Sequence, residues 1–314
     1  MVGTRSVSAA LVVLVVTVVG CGGDGSEPDA APSPSEVAES TKTTGEPSTA
    51  SGDAPKVVVL DQGSQPRRLL ELDVEEGHTE SSTLTMTATQ RGKGETVHVP
   101  PMSFDLTSTV ESVDGDEIEV SQAYDDVRVE GREYDPELVR QQRAEIESLA
   151  GVTGTVWLTP SGAAVRTQFD IPAAAPTTTR SIIQEFGHWA SAVNLPYPDQ
   201  PVGPGARWMS TTQTESSGVT VEQVATYSLK SLHGNAFRVA VEIHHHVLPG
   251  STTAAGLEVI SAKGARTGMI RGSTKTLAPL RSTVHGATQW VVKADGQRIR
   301  TVTEQTIDIT TTVR

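Results

Sequence analysis

The sequence predicts a mainly β fold of the α+β kind: a curved antiparallel sheet, as a half-barrel or sandwich, covered by two helices. Three observations carry that expectation. Apolar and polar residues alternate in run after run across residues 56–314, which is the period-two signature of strands with one buried face. Glycine-containing turns separate consecutive runs, so the connections read as antiparallel hairpins. Two segments alone break the pattern with helical spacing.

The elements follow in order. The folded part opens near Lys56 with the apolar run Val57-Val58-Val59-Leu60. Leu70-Glu71-Leu72-Asp73-Val74 reads as a strand with one apolar face, and Leu84, Met86 and Ala88 alternate with threonines in the next. Residues 104–113 and 118–129 flank Asp114-Gly115-Asp116, a hairpin signal. The same device returns at Ser161-Gly162, at His233-Gly234-Asn235 and at Asp295-Gly296. Asp135 offers an N-cap, Pro136 suits the first helical position and Glu137 complements the dipole, so a helix is expected over residues 136–150 with Val139, Ile146 and Leu149 on its apolar stripe. A second, more strongly amphipathic helix is expected over residues 178–192. Its Ile182, Phe186 and Trp189 should cover a sheet face, over either a packed core or a ligand.

The N-terminus decides where all of this resides. Arg5 supplies a positive start, residues 9–19 form a short apolar stretch, and Val18-Val19-Gly20-Cys21 closes it. The stretch falls well short of the roughly 20 apolar residues a membrane-spanning helix needs. These residues resemble the lipobox of a bacterial lipoprotein precursor. The resemblance implies a signal peptide over residues 1–20, cleavage between Gly20 and Cys21, and a diacylglyceryl group on the Cys21 thiol. It also implies anchorage to the bilayer through that lipid, facing outside the cytoplasm. Cys21 is the single cysteine in 314 residues, so no disulfide can form within the chain, and acylation accounts for a thiol otherwise left over. Two acyl chains suffice for stable anchoring where one does not.

Residues 21–55 read as the lipidated cysteine and an acidic tether. From Gly22 to Pro55 there are seven acidic residues against Lys42, and five prolines, so self-repulsion and composition predict a disordered, extended segment. It would reach about 110 Å fully stretched and roughly 30 Å on average as a coil. Its Ser, Thr and Pro content fits an O-glycosylated stalk equally well. The formal charge of the whole chain is −13. Such a surface repels nucleic-acid phosphates and anionic headgroups, so nucleic acid is excluded as a partner and membrane contact is expected through the anchor alone.

Residues 56–314 form the extracytoplasmic β-rich domain, and they contain a weak internal echo. Gly77 to Thr83 resembles Gly205 to Thr211, Ser112 to Val120 resembles Ser231 to Val239, and Thr153 to Val156 resembles Thr267 to Ile270, in the same order. Two related halves, 56–195 and 196–314, would give this pattern; so would hairpins that share turn residues for physical reasons alone. A proline-rich connection, Leu195 to Gly205, joins the two stretches. The layout loosely resembles uncharacterised β-rich lipoproteins of bacterial envelopes. At fold level it is similar to periplasmic carriers of lipidated cargo, in which helices close a curved sheet over an apolar cavity, which is an argument by analogy.

Catalytic motifs are absent. The chain has no Gly-x-Ser-x-Gly elbow, phosphate loop, Gly-x-Gly-x-x-Gly, His-Glu-x-x-His or Ser-x-x-Lys. No cofactor is expected. One cluster is worth weighing for metal: on a strand, Glu242, His244 and His246 share a face and could bind Zn²⁺ or Cu²⁺. A solvated strand face with His245 at the margin of the core explains the same residues. The expectation is therefore a non-catalytic envelope lipoprotein whose sheet binds an apolar ligand or a protein partner, with a structural module lacking a small ligand as the alternative and an enzyme third.

Overall fold

The computed structural model describes residues 48–50, 55–170, 195–216, 219–248, 251, 258–294 and 296–314. Alternation has become strand almost wherever it occurs. The strands are β1 (Ser48–Ala50), β2 (Lys56–Asp61), β3 (Thr79–Gly92), β4 (Glu95–Asp114), β5 (Glu117–Val129), β6 (Thr153–Leu158) and β7 (Ala164–Asp170). After them come β8 (Arg207–Ser216), β9 (Val219–His233), β10 (Ala236–Val247), β11 (Glu258–Ser273), β12 (Arg281–Ala294) and β13 (Gln297–Val313). They form one sheet in the order β1-β7-β6-β5-β4-β3-β13-β12-β11-β10-β9-β8-β2. Every pairing is antiparallel, and the edge strands β1 and β2 do not pair with each other, so the sheet is open.

The hydrophobic residues of each strand collect on one face, called here the inner face. In β13, Thr301, Thr303, Ile307, Ile309 and Thr311 are buried, and in β10 Phe237, Val239, Val241 and Val247 are buried while Glu242, His244 and His246 are exposed. Helix α1 (Pro136–Ile146), extended by a 3-10 turn over Glu147–Leu149, packs on this face. Asp135 caps it, its carboxylate accepting from the Glu137 amide at 2.8 Å. Val139, Ile146 and Leu149 join Leu84, Met102 and Phe104 in one cluster, each such residue contributing about 1.5–3 kcal/mol by burial. The second expected helix, with Ile182, Phe186 and Trp189, lies outside the described residues, as do Gly20 and Cys21.

Three expectations need correction. Residues 70–74 alternate as predicted, with Leu70 and Val74 buried, but they form a strap and not a strand. The strap makes only scattered backbone bonds, from Leu72 to Pro160 and from Asp73 to Thr274. It leads from β2 at one edge to β3 in the middle of the sheet, lying across the chain with its apolar side down. The tether, expected to be disordered throughout, contributes β1, which pairs with β7 from Ser48–Phe169 to Ala50–Thr167. Strand β4 starts nine residues before the predicted Phe104. Pro100 and Pro101 hid its first part, because prolines cannot donate to a ladder; they sit at a bulge opposite β3.

The internal echo maps onto equivalent places. Its three matches fall at the starts of β3 and β8, at the β4–β5 and β9–β10 hairpins, and on β6 and β11. Gly115 and Gly234 open the two hairpins with the same φ of 54°, as a two-residue turn with glycine at its first position requires. β13 flanks β3 as β2 flanks β8.

Candidate functional site

Polar side chains in the apolar register of a strand demand a reason, and the inner face has a line of them. Register partners run directly across seven strands: Gln90 on β3, Thr303 on β13, Thr288 on β12, Gly264 on β11, His245 on β10, Gln223 on β9 and Thr212 on β8. The adjacent row is small or polar except at Ile243, running Ala88, Gln305, Gly286, Arg266, Ile243, Ala225, Ser210. Beyond it lies an apolar row with Met86, Ile307, Val284, Val241, Tyr227 and Trp208. On the other side Trp290, Ala262, Val292, Val259, Val247 and Val219 make a further apolar cluster. The belt is thus a polar stripe between two apolar zones.

Much of the belt's hydrogen-bonding capacity is unused. Gln90 is 1% exposed, yet among the described residues neither its Oε1 nor its Nε2 has a partner. The hydroxyls of Thr303 and of the neighbouring buried Thr301 are also unpaired. Each such group costs about 1–3 kcal/mol, so this one patch carries a substantial penalty that the fold alone gives no reason to keep. His245 bonds Thr288 Oγ1 through Nε2 at 2.7 Å and leaves Nδ1 unpartnered. Gly264 makes that reach possible: a Cβ on Gly264 would overlap the His245 ring and stand 2.7 Å from Thr288 Oγ1. Burial, then Arg266 and the flanking His244 and His246, push the His245 imidazole down to about 4, so it is neutral at pH 7 and its Nδ1 is a free donor or acceptor according to the tautomer.

Arg266 is the one cation on these two rows. Burial lowers its pKa, though a guanidinium stays charged. Among the described residues it makes neither a hydrogen bond nor an ion pair, in contrast to Arg91, Arg128 and Arg140, which pair with carboxylates. The buried carboxylate of the inner face is satisfied elsewhere: Glu80 accepts from the Leu277 and Ala278 amides at 2.8 and 3.1 Å and from His78 at 2.7 Å. It fixes the β11–β12 connection. Nearby, Leu72, Tyr197, Phe237 and Leu277 line a crevice of about 10 Å³, room for one water.

The three residues singled out for metal do not converge on one point. Glu242, His244 and His246 lie on the exposed outer face of β10, where His244 pairs with Glu242 at 2.9 Å and His246 with Glu222 at 3.6 Å. Among the described residues no group of three His, Cys, Asp or Glu is arranged to hold a metal ion. Same-face neighbours on a strand stand roughly 7 Å apart, and each imidazole has turned to its own carboxylate. Gln90, Thr301, Thr303 and Arg266 were missed because a polar residue in a strand was read as outward. Their phase was the signal: Gln90 keeps step with Leu84 and Met86, and Arg266 with Ala262 and Ile270.

No family model matches the chain, and no curated protein is similar to it. Among solved structures it is similar to OmpT, an outer membrane protein of Vibrio cholerae folded in vitro and described in its trimer form. Identity is 7%, the match covers 75% of this chain and 100% of that one, and the TM-score is 0.19; the likeness goes no further than β-rich character. Among the described residues no helix is long and apolar enough to cross a membrane.

Proposed function

We propose that the chain is a lipid-anchored envelope protein, tethered through acylated Cys21, whose sheet curls into a half-barrel and receives an amphiphilic ligand on its inner face without catalysis. The observation that carries this reading is the belt: buried, unpartnered polar atoms of Gln90 and Thr303 in line with His245, with Thr301 beside them, between two apolar zones. A structural module would fill such positions with Val or Leu and be more stable for it. A ligand with a polar group and an apolar body repays the cost when bound. The glycines support the curl, since at Gly286 the β11 backbone approaches too closely for any side chain.

Native mass spectrometry of the chain, gently extracted from its membrane, tests the reading. The expected result is a co-purified or readily taken up amphiphile released by mild collisional activation. A bare chain that takes up no alkyl amphiphile overturns it.

A further inference from the structure

We infer that the ligand's polar group is an anion, a carboxylate or a phosphate, and that Arg266 is its counter-ion. The inference rests on the ligand-binding reading above and sharpens it. Two features converge. Arg266 occupies the inner face with no carboxylate partner among the described residues, in a row whose other members, Ala88, Gln305, Gly286, Ile243, Ala225 and Ser210, are all uncharged. The belt then adds the hydrogen-bonding groups an oxyanion uses, among them the Thr301 and Thr303 hydroxyls, Gln90 Nε2 and His245 Nδ1.

A half-buried guanidinium without a partner is costly, and it is the side chain best suited to grip a planar carboxylate or a phosphate through paired N–H donors. A neutral headgroup would leave that charge uncompensated, and a cationic one would be repelled. The overall charge of −13 opposes anions only at long range, because salt screens it beyond about 8–10 Å. Within the belt the nearest fixed charge is Arg266.

The test is a binding series on the full chain with dodecanoate, dodecyl phosphate, dodecanol and dodecyltrimethylammonium, for the parent, Arg266→Gln and Arg266→Lys. Expected is a preference of about tenfold or more for the anions over dodecanol, the scale of one charge-assisted contact. Arg266→Gln should abolish that preference while dodecanol binding is unchanged, and Arg266→Lys should restore part of it. Dodecanoate against dodecyl phosphate then tells the two headgroups apart. If dodecanol and the ammonium bind as well as the anions, or if Arg266→Gln leaves the preference intact, the inference fails while ligand binding stands. If none of the four binds, the ligand-binding reading fails with it. Thermal melts guard against misfolding: without ligand, Arg266→Gln should melt no lower than the parent, since it removes an uncompensated half-buried charge.

Discussion

His245 illustrates what a single residue can reveal when its surroundings are known. Its ring lies over Gly264, bonds Thr288 and is held neutral by burial beside Arg266. Its pKa falls from 6.5 to about 4 on folding. Between these values the unfolded chain holds a proton that the folded chain does not, so its contribution to stability is complete above pH 6.5 and is lost as pH falls toward 4. The loss should reach about 3 kcal/mol. Denaturant melts of the parent and His245→Gln at pH 7 and pH 4.5 isolate it, because the other carboxylates and imidazoles cancel in the difference. The parent should lose more stability on acidification than the variant; equal losses would mean the ring is freely solvated. At this scale much of the chemistry was legible in the sequence only in part. The alternation of residues 242–247 put His245 on the apolar side correctly. Gln90 and Thr303 escaped notice because threonine and glutamine are at home on outer strand faces. Only register shows that they meet Thr288 and His245 in one line.

The elements were more legible, and their failures have physical causes. Hairpins announced themselves through Gly115, Gly162 and Gly234, and α1 through Asp135-Pro136-Glu137. The strap of residues 70–74 imitates a strand because any extended segment lying across an apolar floor alternates. Ladder partners, and not alternation, make a strand, and those depend on the whole topology. The strap therefore stabilises by side-chain burial and not by pairing. Leu70 is 1% exposed and its neighbour Leu69 41%. Leu70→Ala should cost about 2–5 kcal/mol, whereas Leu69→Ala should stay within about 0.5 kcal/mol. Chemical denaturation of the two variants checks this. A comparable loss at both would mean that the strap's side-down arrangement is incorrect.

For the whole molecule, the antiparallel β class was readable from periodicity, while the thirteen-stranded order was not, because strap and β2 carry the chain from one edge of the sheet to its middle. The proposal of attachment to the envelope rests on Val18-Val19-Gly20-Cys21. Cys21→Ser should abolish incorporation of a labelled acyl precursor and release the chain from membranes or leave it uncleaved; continued labelling would refute the lipobox. The central claim is that an amphiphile lies on the inner face, and Trp290 offers a local reporter. It adjoins the belt, opposite Thr301 and Ala262. The direct measurement is quenching of tryptophan fluorescence in the full chain by a dodecanoate brominated along its chain. Saturable quenching should occur in the parent, and the quenched fraction should drop in Trp290→Phe. No saturable quenching, or the same quenched fraction in both proteins, would contradict the account.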